Sequence, residues 1–98
     1  MAEPLKIVAR IVAAPGVADR LEAEMKRLVK RTRKEPGCRQ YDLHRGTEDP
    51  RLFVFVEDWE TKAHWEDHMA GDAIRAFTER IGEDMIESGE ILQLGQVA

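Results

Sequence analysis

Residues 33–59, RKEPGCRQYDLHRGTEDPRLFVFVEDW, constrain the fold most. Proline has no amide proton for a helix ladder and disfavours helical backbone at the residue before it. A helix arriving from the N-terminal side therefore stops at Glu35-Pro36-Gly37, where Gly37 can take the positive φ common at helix ends. Two strand-like runs follow, over about residues 38–45 and 52–59. The link between them has Gly46 at one end and Asp49-Pro50 at the other, which is a hairpin signal. In the second run Phe53, Phe55, Glu57 and Trp59 share one face, and Leu52, Val54, Val56 and Asp58 share the other. Both faces are mostly apolar, so this strand is expected inside a sheet.

The rest of the chain supplies partners to this hairpin. Residues 5–14 alternate imperfectly and leave two partly apolar faces, as in a strand covered on both sides. Ala14-Pro15-Gly16 is a turn. A helix is predicted over about residues 17–35, with Leu21, Met25, Leu28, Val29 and Thr32 on one stripe. Its basic run, Lys26 to Lys34, sits where the helix dipole favours cations and reads as a solvated face. Thr61 can cap a short helix over about residues 62–69. Gly71-Asp72 breaks it, and Asp72 can cap a further helix over about residues 73–85, with Ile74, Phe77, Ile81 and Met85 as its stripe. A last strand is predicted over about residues 88–94, with Ile91 facing away from Leu92 and Leu94.

The order is β-α-β-β-α-β, the ferredoxin-like α+β pattern, with a four-stranded antiparallel sheet and its second helix divided. Ninety-eight residues make one domain, residues 1–98. Both helices lie on one side of such a sheet, and the other side is left apolar with no third layer to cover it. The expected cover is a second copy, packed sheet against sheet as a homodimer.

Composition narrows the function classes. A net charge of −4 argues against nucleic acid as partner. No stretch approaches the roughly 20 apolar residues of a membrane span. Lys6 and Arg10 interrupt the first apolar run, so it does not read as a leader core. A single cysteine, Cys38, excludes an internal disulfide and suits a reducing compartment. The expectation is a soluble cytoplasmic protein. Gly-rich phosphate loops are absent, so nucleotide binding gains no support.

Several residues together carry a family resemblance. They are Ala9-Arg10-Ile11, Pro15-Gly16, Leu28-Val29, Thr32-Arg33, Glu35-Pro36-Gly37-Cys38, Tyr41 to Arg45, Asp49-Pro50, Phe53 to Trp59, His68 and Phe77. The chain resembles the antibiotic biosynthesis monooxygenase domain family, which includes quinol monooxygenases, over nearly its whole length. The resemblance implies a dimeric α+β barrel. It also implies oxygenation of a quinol or aromatic polyketide by O2, without a cofactor, in a pocket between helices and sheet. The haem-degrading members place Asn, Trp and His where this chain has Ala9, His68 and Thr78, so haem degradation is not expected. The Pro-His pair common after the position of His68 is replaced by Met69-Ala70-Gly71-Asp72.

Such an oxygenase must hold an electron-rich phenol or quinol, remove its proton and exclude water. A histidine of near-neutral pKa suits the proton step, and aromatic walls suit the pocket. His68 is the candidate base, on the same side of its helix as Trp65 and Met69. His44, sharing a face with Gln40 and Asp42, is the weaker candidate. Tyr41, Trp59, Trp65 and Phe77 are the candidate pocket residues, each equally readable as core. His64 and His68 have an i, i+4 spacing that can hold a metal, but no third ligand and no HExxH pattern accompany them, so no metal is expected. Arg10 is expected to pair with an acid on a neighbouring strand. Cys38 reads as a small packed residue. Two other functions fit the same residues: a non-catalytic dimer that binds a small apolar molecule, and an isomerase of a small carbonyl compound acting through His68.

Overall fold

The computed structural model describes residues 3–98. Its elements are β1 (Leu5–Ala13), α1 (Ala18–Thr32), β2 (Cys38–Arg45), β3 (Leu52–Trp59), α2 (Lys62–Met69), α3 (Asp72–Ile81) and β4 (Ile86–Leu94). The strands form one antiparallel sheet in the order β2-β3-β1-β4. This is the ferredoxin-like fold. β1 and β3, the two strands with apolar residues on both faces, are its central pair.

The hairpin organises the core. Phe53, Phe55, Glu57 and Trp59 are all buried, beside Ile7, Ala9 and Ala13 of β1 and Tyr41 of β2. The stripe predicted for α1 closes over them: Leu21, Met25, Leu28, Val29 and Thr32 are the buried residues of that helix. Its other face is solvated and carries ion pairs, Glu22 with Lys26 and Glu24 with Arg80. The opposite face of the sheet shows a row in register, Val56, Val8 and Leu92, with Leu92 and Leu94 exposed.

Four local expectations shift. α1 ends at Thr32, three residues before Glu35. Pro36 has no N–H to give the Thr32 carbonyl, and the Glu35 amide donates to it instead at 2.9 Å, tightening the exit. α3 ends at Ile81, because Gly82 takes φ +65°. Met85 is therefore not helical; it is buried in the turn before β4, and its carbonyl accepts from the Ala14 amide at 2.9 Å. Asp72 is not the cap of α3. Gly71 holds that position, and Asp72 pairs with Arg75 at 2.7 Å. β4 begins at Ile86, two residues early, because a register shift at Val12/Ala13 extends its pairing. Thr61 does cap α2, its hydroxyl accepting from the His64 amide at 3.2 Å.

Gly37 has φ +78°, and a Cβ there would sit 2.2 Å from Cγ of His64. Backbone strain and collision add, so Gly37→Ala is expected to cost about 2 kcal/mol or more in urea unfolding. His64→Ala removes the ring but leaves its own Cβ, which a Cβ at residue 37 would meet at 2.6 Å, so the double variant should lose less than the sum of the two single losses yet more than His64→Ala alone. Strictly additive losses would show that the two residues do not touch.

Candidate active site

A cavity of about 490 Å³ lies between the sheet and the helices. Its floor is Ile7, Ala9 and Ile11 of β1 with Phe55 and Glu57 of β3. Tyr41 closes one side, and Ile86, Gly89 and Ile91 of β4 close the other. Trp65, His68 and Met69 of α2 and Ile74, Phe77 and Thr78 of α3 form the roof. The size suits a small organic ligand. The walls are mainly apolar, and no lysine or arginine lines it among the described residues.

His68 enters this cavity from α2 with its side chain 1 % exposed. Its Nδ1 lies 2.6 Å from Oε1 of Glu35, in the turn that Pro36 forces after α1. A carboxylate oxygen accepts, so the Nδ1 proton is committed to Glu35 and the neutral ring keeps its lone pair on Nε2. Burial holds the imidazole below its ordinary pKa, and the hydrogen bond and charge of Glu35 oppose this. The lowered pKa favours the neutral ring, with Nε2 as a hydrogen-bond acceptor. Its faces are fixed by Trp59, whose ring centroid is 4.8 Å away, and by Tyr41 at 5.4 Å.

Glu57 is the site residue that sequence reasoning did not single out. It is 4 % exposed and lines the same cavity. Trp59 Nε1 donates to its Oε1 at 2.8 Å. Burial pushes its carboxyl up to about 7, with the Trp59 hydrogen bond acting in the other direction. A signal was present in the alternation: Glu57 is the one charged residue on the Phe53-Phe55-Trp59 face, where every neighbour is core.

Tyr41, Trp65, Phe77 and His68 line the same cavity. Trp59 is not part of the lining. It is wholly buried, beneath His68 and beside Glu57, and acts as their support. His44 is exposed and lies in register with Val54, on the face of the sheet turned away from the cavity. Period-2 alternation separates it from Tyr41 and Leu43. Arg10 stands opposite Glu90 in register, on that same outer face, with no ion pair to it among the described residues. Burial, with the charges of Glu35 and Glu57, pushes the Cys38 thiol up to about 11, as befits a packed residue rather than a nucleophile. His64 Nδ1 lies 2.8 Å from the Thr61 hydroxyl, so the two helix histidines turn to different partners.

Residues 4–80 match the sequence pattern of the antibiotic biosynthesis monooxygenase family. The chain belongs to that family. It is similar to the protein PA3566 of Pseudomonas aeruginosa, with 40 % identity over 100 % of this chain and 98 % of that one, at a TM-score of 0.92. Protein SO0527 of Shewanella oneidensis is 28 % identical over 98 % of this chain and 93 % of its own, at a TM-score of 0.89. YgiN of Escherichia coli, named a probable quinol monooxygenase, is 30 % identical over 93 % of this chain and 98 % of its own. Ala9, His68 and Thr78 all lie on the cavity wall.

The two buried titrating groups give stability opposite pH dependences. Glu57 has its folded pKa raised from 4.5 to about 7, so its contribution is intact below pH 4.5 and is lost as pH rises to about 7. His68 has its folded pKa lowered below 6.5, so its contribution is present above that pH and is lost as pH falls. Glu57→Gln keeps an acceptor for Trp59 and has no charge to bury. It should stabilise the protein by about 3 kcal/mol at pH 8 and have little effect at pH 4.5. Denaturant titrations at the two pH values measure this. An equal effect at both would contradict a buried, titrating carboxyl.

Proposed function

We propose that this family member is a cofactor-independent monooxygenase that inserts one atom of O2 into a quinol or phenolic aromatic substrate. One observation carries the reading: His68 is buried in the wall of an apolar cavity with Nδ1 2.6 Å from the Glu35 carboxylate, which leaves Nε2 to act as the base in this reading. His68 takes the substrate's hydroxyl proton, and the resulting anion is the electron donor to O2. For a phenol, one oxygen atom joins the ring carbon as a new carbonyl. The other leaves as water with the hydroxyl hydrogen and the hydrogen of that carbon, so the substrate supplies every electron. Excluding bulk water keeps the anion reactive, which the aromatic and aliphatic walls favour. The lack of cationic lining favours a neutral substrate over a phosphorylated or carboxylated one.

The working unit in this reading is a homodimer. Val8, Val56 and Leu92 form a continuous apolar row on the sheet face that bears no helix, with Leu92 and Leu94 exposed at its edge. A second copy placed sheet against sheet would remove that surface from water. Light scattering behind size exclusion should give twice the chain mass at micromolar concentration. A monomer would refute this assembly.

Oxygen uptake with a panel of freshly reduced quinones and phenols tests the chemistry. His68→Ala should lower kcat by about 10² to 10⁴-fold while the fold is retained. Turnover unchanged in that variant would remove His68 as base. No turnover by the native protein with any member of the panel would leave the cavity as a binding site for an apolar molecule.

A further inference from the structure

The cavity contains two groups that each hold one polar atom in an internal hydrogen bond and retain a second. His68 commits Nδ1 to Glu35 and retains Nε2. Glu57 accepts from Trp59 Nε1 on Oε1 and retains Oε2. Trp59 links the two, stacking beneath the imidazole and donating to the carboxyl. Glu57 also sits in register between Ile7 and Tyr41, at the centre of the sheet, where no cation pairs with it among the described residues. A buried carboxyl without a cationic partner stays neutral by holding its proton, and it can then donate a hydrogen bond. Below about pH 7 this chain therefore lines one cavity with an acceptor and a donor.

We propose that Glu57 is a substrate-contacting residue, its protonated carboxyl donating a hydrogen bond to a second oxygen of an aromatic substrate whose first oxygen meets His68. The class this selects is a ring system bearing two oxygen functions, a quinol or hydroxyquinone, over a simple phenol. The inference rests on the oxygenase reading only for which molecule fills the cavity; the binding it describes needs no turnover. The other titratable groups near Glu57 are few. Tyr41 and Cys38 approach from β2, His68 from α2 and Glu35 from the turn after α1. Burial moves Tyr41 well above its ordinary pKa and Cys38 up to about 11, so neither changes charge near neutrality. β1 and α3 present no titratable side chain to the cavity among the described residues. Glu90 of β4 borders it but shares the outer face with Arg10.

A quinone isolates the donor arm, because its carbonyls accept and have no proton for His68. The probe is 2,3-dimethyl-1,4-naphthoquinone, blocked at the carbons where a thiol such as Cys38 would add. Binding is read by quenching of tryptophan fluorescence in the native full-length protein. Ionisation of Glu57 near pH 7 removes the donor, so Kd should rise about tenfold between pH 6 and pH 8. Glu57→Gln keeps an N–H donor and an acceptor for Trp59, so its Kd should be flat over that range and close to the native value at pH 6. His68→Ala should retain the native pH dependence. A native Kd that does not change between pH 6 and 8 would overturn the proposal, as would a pH dependence that persists in Glu57→Gln. Failure of the oxygenase reading looks different: the quinone binds with the expected pH dependence, and no reduced substrate consumes oxygen.

Discussion

The hydrogen bond between Glu35 and His68 ties the two halves of the molecule together. Glu35 belongs to the turn between α1 and β2, and His68 to the last turn of α2. Pro36 creates that turn by denying the Thr32 carbonyl its helical donor, and Gly37 completes it with a left-handed backbone beneath His64. A backbone constraint thereby becomes a chemical one. The place where the first helix must stop decides which nitrogen of the imidazole carries its proton. The same bond offsets part of the cost of burying a polar ring in a wall of hydrocarbon.

Beneath that bond is a layer of aromatic support. Trp59 has no exposed surface, yet His68 and Glu57 both lean on it. Tyr41 packs against Phe55 at 5.2 Å and edge-on to Trp59 at 6.3 Å, which completes the layer. These side chains come from neighbouring strands at fixed register, so their spacing is as rigid as the sheet. The roof is built differently. α2 and α3 are short, they meet at Gly71, and Trp65 and Phe77 are only partly buried. The cavity thus has a rigid floor under a roof of two short helices.

Much of this was legible in the residue order because it follows from period and punctuation. Alternation in residues 52–59 and the stripe from Leu21 to Thr32 gave both layers of the core. Pro36, Gly37 and the Gly46-to-Pro50 link gave the hairpin. What the order could not reveal was contact across distance. The order puts His44 on one face with Gln40 and Asp42, but only the assembled sheet shows that this face is the outer one. Trp59 and Trp65 are both aromatic at element ends, yet one supports and the other lines. Glu57 was hidden by its type, since a glutamate in a strand is normally read as facing water, whereas this one follows the parity of its aromatic neighbours. α3 ends short of its apolar stripe: Met85 keeps the helical spacing, but Gly82 has already turned the chain.

Gly89 has a bearing on how such sites diversify. It lies on the edge strand opposite Ile11 and borders the cavity, and a Cβ built on it would meet nothing nearer than the Arg10 carbonyl at 3.9 Å. That position is a vacant notch in the wall, free of backbone strain. Exchanging one small residue there would narrow the cavity and leave the His68–Glu35 pair untouched.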